Sequence, residues 1–227
     1  MDAQEVKQKL YELGAVLAGV ASVDRFGDAP TGYHPLDVLP ECKSVAAFAK
    51  PFVAGTLRSP SSAPYTVTRN VLSGEMNRMA VELSLCMERA GYRCAPLDAI
   101  GDEEDERTGR NRAPVSFKHA AQAAGLGVIG RHSLLITPRY GSMVWLGLVL
   151  TEAELAPDPL CDWNPCAKCV GLCRRACPVH AADGELLDQH ACWKHAFGTV
   201  RGDWRISCHA CRDACPHNFG TDNAGLR

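Results

Sequence analysis

Nothing in this 227-residue chain approaches a membrane span: its richest apolar stretch, Met143 to Leu150, falls far short of the ~18 uninterrupted apolar residues a spanning helix needs. The first residues, Met1 to Gly14, are charged and amphipathic, without the basic start and continuous apolar run of a secretory signal. A cytoplasmic location and no membrane partner are therefore expected. Charge excess is missing as well: the formal net charge is −2, which gives no basic field to draw in nucleic acid or anionic lipid. No internal repeat occurs outside one cysteine-rich region. Nor does the chain need covalent staples, because 46% hydrophobic residues over this length can fill one large or two small cores.

What the chain does have is cysteine, twelve in all. In a reducing compartment these read as metal ligands or thiols rather than disulfides. Cys42, Cys86 and Cys94 are scattered, whereas Cys161, Cys166, Cys169, Cys173, Cys177, Cys192, Cys208, Cys211 and Cys215 crowd the last third. Cys166, Cys169, Cys173 and Cys177 precede Pro178, and Cys208, Cys211 and Cys215 precede Pro216. In two-cluster ferredoxins the closely spaced cysteines fold around one iron–sulfur cube, while the cysteine before proline ligates the other. Two cubes need eight thiolates, and Cys192, between the runs, completes the set. The spacing thus assigns Cys166, Cys169, Cys173 and Cys215 to one 4Fe-4S cluster and Cys177, Cys192, Cys208 and Cys211 to a second. Three residues rather than two separate Cys169 from Cys173, so a small bulge is expected there. Cys161 is left as a bystander. Paired zinc knuckles would want CxxC pairs roughly 15 to 20 residues apart, which the compact first run does not match.

Val6, Leu10, Leu13 and Leu17 draw one stripe on a helix beginning near Ala3, followed by a strand within Val16 to Val23. Ser44 to Ala49 reads as a buried strand and Gly55 to Pro64 as a loop. Helical spacing of Leu72, Met76, Met79, Leu83 and Met87 predicts a helix over 70–90, stopped by Gly91. The acidic run Asp102 to Glu106 reads as a solvated loop. Ser116 caps a short helix through His119 to Ala124, which Gly125 ends. Ser133 to Thr137 and Met143 to Thr151 read as two strands of a hairpin joined through Pro138 to Ser142. Pro157, Asp158 and Pro159 break the chain and place a domain boundary near residue 156.

The second unusual feature is the run Gly125, Leu126, Gly127, Val128, Ile129 and Gly130, leading to His132, Ser133 and Leu134. Three such glycines resemble a dinucleotide fingerprint, but that motif passes from strand to helix, and here a helix precedes and a strand follows. Joined to the cysteine order, to Tyr140, Gly141 and Ser142, and to Leu150 and Thr151, the run resembles that of epoxyqueuosine reductases and the related reductive dehalogenases. Those are cobalamin-dependent iron–sulfur reductases. The resemblance implies an α+β fold: a nitroreductase-like α/β sandwich domain over residues 1–156 that binds cobalamin, followed by a ferredoxin-like domain over 157–227 with two 4Fe-4S clusters. It also implies that Gly125, Leu126, Gly127 and Gly130, with Ser133 and Leu134 of the following strand, approach a corrinoid, since glycine lets backbone come close to a flat ligand. Tight-turn packing is the alternative for the same glycines.

The chain departs from that family's pattern. The aspartate that donates a proton in epoxyqueuosine reductases is matched by Asn111, and an amide is no general acid at neutral pH. The motif's arginine is matched by Lys118, which keeps charge but loses the bidentate fork. His119 and Tyr140 are the candidate replacement donors. With the chain ending at Arg227, the helical-repeat tail that helps those enzymes hold transfer RNA is not expected, and neither is transfer RNA as a partner. Two functions follow: an oxidoreductase acting through a corrinoid on a small-molecule substrate, or an electron carrier activating a partner corrinoid or metal protein. Either needs a low-potential donor such as a ferredoxin or flavodoxin, for which Lys168, Arg174, Arg175 and Arg212 would form a basic docking patch.

Overall fold

The computed structural model describes residues 1–100, 103–105, 110–184, 186–200 and 202–226, with backbone only at 103–105, 110 and 111. Helix α1 (Ala3–Glu12) opens on Asp2, whose carboxylate accepts from the Gln4 and Glu5 N–H groups while Glu5 reaches back to the Asp2 N–H; this capping box fixes the start. It buries Val6 and Leu10. Leu17, expected on the same stripe, belongs instead to strand β1 (Leu17–Ser22), because Gly14 turns the chain with a φ of 102°. A four-residue helix α2 (Pro35–Val38) leads to β2 (Ser44–Pro51), buried as expected from Ser44 to Ala49.

The expected loop after β2 holds a 3-10 turn at Ala54–Arg58, and α3 (Ala63–Arg89) begins seven residues before its predicted start. Pro64 is no obstacle there, since a first-turn residue has no helical N–H bond to lose. Strand β3 (Cys94–Pro96) follows, then β4 (Glu103–Asp105) paired with β5 (Arg110–Arg112). The acidic run is thus strand at 103–105, with Glu103 in register with Arg112 and Asp105 with Arg110; Asp102 and Glu106 lie outside the described residues. Helix α4 (Phe117–Ala123) has Ser116 at its N-cap, but the Ser116 hydroxyl meets His119 Nδ1 at 2.7 Å instead of capping backbone.

The predicted hairpin between 133–137 and 143–151 does not form. Strand β6 (Val128–Ile129) folds back through a turn at Gly130–Ser133 and pairs with β7 (Leu135–Ile136). Thr137 and Gly141 then exchange backbone hydrogen bonds of 2.8 Å in both directions, closing the Pro138–Tyr140 turn on itself. Strand β8 (Val144–Thr151) instead lies inside a four-stranded sheet ordered β1-β2-β8-β3. Its burial on both faces is that of an interior strand. The remaining elements are α5 (Leu172–Arg175), α6 (Gln189–Ala196), the antiparallel pair β9 (Phe197–Val200) and β10 (Asp203–Ile206), and α7 (Ala210–Asp213).

The chain divides into two compact units. One comprises Met1–Pro51, Leu72–Gly127 and Trp145–Asp162; the other comprises Phe52–Val71, Val128–Val144 and Trp163–Arg227. The first carries the four-stranded sheet over a core of Val6, Leu10, Val20, Phe48, Met76, Met79, Leu83, Met87 and Val149. Each fully buried side chain of this size contributes about 1.5–3 kcal/mol, so the helical spacing read at Met76, Met79, Leu83 and Met87 is what seats α3. Asp158 ties the end of this unit down: its carboxylate bonds Lys7 at 2.6 Å and the Val20 N–H at 2.8 Å. The second unit holds all eight cysteines assigned to clusters. Among the described residues no helix is long and apolar enough to cross a membrane.

Candidate metal centre

The first cysteine run is a series of short turns. The Cys169 N–H bonds the Cys166 carbonyl at 3.2 Å, and the residue in excess between Cys169 and Cys173 is taken up at Gly171, which is left-handed (φ 77°) and caps α5. Helix α5 then carries Cys173 into a buried position, and Cys177 closes the turn with its N–H on the Arg174 carbonyl. Helix α6, capped by Asp188 on the Ala191 N–H, supplies Cys192. Helix α7 holds Cys211 and hands the chain to buried Cys215; α5 and α7 lie against each other.

The thiols act on one another in two sets. Burial pushes Cys215 up to about 11, and the Cys173, Cys166 and Cys169 thiols push the same way. Cys173 is raised by burial, then by Cys166 and Cys169. Burial also pushes Cys211 up to about 11, with Arg212 opposing and Cys192, Cys208 and Cys173 adding to the rise. Cys192 is raised by burial, then by Cys208 and Cys177. Cys169 goes the other way, held down by the Gly171 and Leu172 N–H groups and by Arg131 and Arg175. One set therefore gathers Cys166, Cys169, Cys173 and Cys215, and the other Cys177, Cys192, Cys208 and Cys211, with Cys173 the point where they meet. Cys161 is raised by burial and Asp162. Buried thiols crowded in this way ionise only if positive charge enters among them, which is what a cluster of irons supplies, so the donor set fits two clusters with four cysteine ligands apiece. Among the described residues, no three His, Cys, Asp or Glu side chains close on a point as ligands to a single ion.

The glycine run serves the chain's own packing. Gly125 (φ 77°) ends α4 with its N–H on the Gln122 carbonyl, and Leu126 sends its N–H to Ala121, the paired bonds of a Schellman cap. A Cβ at Gly125 would strike the Pro159 carbonyl, and one at Gly130 would strike the Ile136 side chain and the His132 ring. Both glycines are thereby required by the chain's own packing. Leu126 is buried, and Ser133, at a φ of 64°, sits in the β6–β7 turn beside Leu134. Gly127 closes the first unit.

The proton-donor candidates are dispersed. Asn111 lies in β5, with its side chain outside the described residues. Lys118 and His119 are on α4; His119 is exposed, and desolvation followed by the Lys118 charge lowers its pKa. Tyr140 belongs to the Pro138–Tyr140 turn, where its hydroxyl is 3.5 Å from Arg139 and bonds Asp222. That turn receives the chain beyond Cys215: Arg139 pairs with Asp222 at 2.7 Å, Thr221 N–H bonds Pro138, and Met143 N–H bonds the Asn218 carbonyl at 3.2 Å. The motif Tyr140, Gly141, Ser142 thus has a structural task in seating the second cysteine run.

One expected docking residue is misplaced. Lys168 and Arg175 are exposed and Arg174 partly so, but Arg212 is 5% exposed. It stacks over the Phe52 and Tyr65 rings at 5.3 and 5.8 Å and cannot meet an incoming donor. Sequence reasoning also passed over Arg131, whose Nη1 bonds the Cys169 carbonyl at 2.6 Å. Arg131 carries no spacing signal, and nothing in the sequence sets the buried Arg212 apart from Arg174, which also directly follows a cysteine.

This is the fold of epoxyqueuosine reductases and reductive dehalogenases. A solved epoxyqueuosine reductase bound to a modified tyrosine transfer RNA stem loop matches at a TM-score of 0.65, with 18% identity over 98% of this chain and 68% of its own. A reductive dehalogenase structure, described as suggesting a mechanism for B12-dependent dehalogenation, matches at 0.69, with 18% identity over 98% of this chain and 32% of its own. In sequence, the epoxyqueuosine reductase of Gloeobacter violaceus is 26% identical over 93% of this chain and 68% of its own length. The resemblance read from the motifs holds in both comparisons. The chain spans about two thirds of these epoxyqueuosine reductases and a third of the dehalogenase. No family model matches. The stem-loop complex runs against the expectation of no transfer RNA partner, which is withdrawn.

Proposed function

We propose that the protein is an iron–sulfur oxidoreductase in which Cys166, Cys169, Cys173 and Cys215 hold one 4Fe-4S cluster and Cys177, Cys192, Cys208 and Cys211 the other. The observation that supports this reading is the grouping of the thiols: Cys215 is raised by burial and then by Cys173, Cys166 and Cys169, and Cys192 by burial and then by Cys208 and Cys177. In this reading each proline-flanked cysteine serves the opposite set, as in two-cluster ferredoxins. Such clusters supply one-electron transfer. The chain's own residues bury Cys173 and Cys215, leave the other six cysteines half-buried, and donate backbone N–H groups to the sulfurs of Cys169 and Cys215; burial and such hydrogen bonds set a cluster's potential.

Lys168, Arg174 and Arg175 form the docking patch for a low-potential donor of the ferredoxin or flavodoxin class; reversing their charges slows cluster reduction, and unchanged kinetics would remove the patch. A second reading, a corrinoid-dependent reductase with its cofactor in the 1–156 region, is favoured by the B12-dependent neighbour, although packing alone already requires glycine at 125 and 130. With Asn111 at the donor position such an enzyme needs another acid, and His119 and Tyr140 are already engaged by Ser116 and by Arg139 with Asp222.

The test is anaerobic purification with iron, acid-labile sulfide and cobalt measured per chain. About eight iron and eight sulfide are expected, and zinc in their place would refute the assignment. Tight uptake of added cobalamin would establish the second reading, and its absence would leave an electron carrier.

A further inference from the structure

Among the described residues of the cysteine unit, Arg212 is a fully enclosed cation with no carboxylate paired to it. Its side chain is 5% exposed. Tyr65 takes a hydrogen bond from it and, with Phe52, covers its flat face. These two rings sit 4.6 Å apart, and Tyr65 in turn stacks on His209 at 4.8 Å, so the guanidinium is walled by aromatic surface. Its Nε and Nη1 atoms are buried and have no hydrogen-bond partner among the described residues. A buried guanidinium with two unmet donors is costly and persists where negative charge stands before it. Arg212 directly follows Cys211 on α7, and Cys211 and Cys208 lie within electrostatic reach of Tyr65, the ring that takes its hydrogen bond.

We propose that Arg212 is an electrostatic tuning residue, whose unpartnered N–H groups donate to sulfur of the cluster held by Cys177, Cys192, Cys208 and Cys211 and hold its reduction potential above that of its neighbour. The inference rests on the two-cluster reading. When one electron enters from a ferredoxin- or flavodoxin-class donor, the donor is oxidised by the same one electron; no bond breaks and no proton moves, and the negative charge on the sulfurs grows. Arg212 stabilises that added charge, strongly because Phe52 and Tyr65 keep water away. In the other set the cations acting on Cys169 are Arg131 and Arg175, both exposed and therefore screened. The clusters become unequal, with the electron resting on the one beside Arg212.

The test is an anaerobic potentiometric titration followed by EPR on wild type, Arg212→Gln and Arg212→Lys, each with its iron and sulfide measured. In Arg212→Gln one cluster signal is expected to titrate at a more negative potential while the other stays; in Arg212→Lys both stay near wild type. Unmoved potentials in fully loaded Arg212→Gln overturn the proposal. Should the variants lose their clusters, wild-type protein carrying guanidino-15N arginine decides: pulsed EPR at a potential where only the higher-potential cluster is reduced shows 15N coupling if Arg212 faces its sulfurs, and its absence overturns the role. Wild type without iron and sulfide would instead remove the two-cluster reading, and this inference with it.

Discussion

At Gly125 a single missing methyl group decides between two uses of one motif. The residue is left-handed, and the Pro159 carbonyl occupies the place of its Cβ, so Gly125→Ala should destabilise the protein by about 1–3 kcal/mol. Urea unfolding checks this, and the loss should be the same with and without cobalamin if packing is the whole reason for the glycine. Thiol reactivity follows the same local logic. In cluster-free protein at neutral pH, Cys169, with its pKa lowered by backbone donors, should be alkylated before Cys173, Cys211 and Cys215, which burial raises. Mass spectrometry after brief iodoacetamide treatment reads the order. The sign for stability is set by the two groups at about 11: burial favours their neutral form, so their contribution is whole below the ordinary value of 9.0 and is lost as pH climbs to about 11. The melting temperature of the cluster-free protein should fall across that window. The proposed ligand set was readable from the sequence because a cluster fixes ligand spacing. The buried state of Arg212 was not, since a charged residue between ligands looks like a surface charge until Phe52 and Tyr65, some 150 residues earlier in the chain, are brought over it.

Elements defined by period or by a stop were legible, and those defined by distant pairing were not. Helix α3 follows from the spacing of Met76, Met79, Leu83 and Met87, and Gly91 ends it with a φ of 91°. The hairpin failed because Val144–Thr151 is apolar enough to pair on both edges, and periodicity cannot name the partner of a strand; backbone bonds at Gly130 and Thr137 sent its expected mate, β7, to β6 instead. Helix α6 offers a test at this scale. Asp188 caps it and positions Cys192, the proposed ligand outside both runs, so Asp188→Ala should cost about 1 kcal/mol and hasten loss of the second cluster. Chelator-driven bleaching of the visible spectrum would show it, and an unchanged bleaching rate would detach the cap from Cys192.

For the whole molecule, the sequence boundary near residue 156 and the two interleaved units describe different things. The cysteine runs lie together after Trp163, yet the unit that holds them also draws on Phe52–Val71 and Val128–Val144. Thr66 Oγ1 accepts the Ile206 N–H at 3.0 Å, and Arg139 grips Asp222; such long-range bonds have no local signature in a sequence. Their consequence is that the cysteine region is built into the fold rather than appended to it, and a fragment starting at residue 157 should fail to hold clusters that the full chain retains. Reconstitution of both with iron and sulfide, followed by gel filtration, compares them.

The central claim, eight thiolates shared between two cubes, is met most directly by the Mössbauer spectrum of the anaerobically isolated chain enriched in 57Fe. All the iron should appear as two 4Fe-4S clusters, about eight iron atoms per chain. A single cluster in fully iron-loaded protein, or isolated iron in tetrathiolate sites, would contradict the assignment of the cysteines.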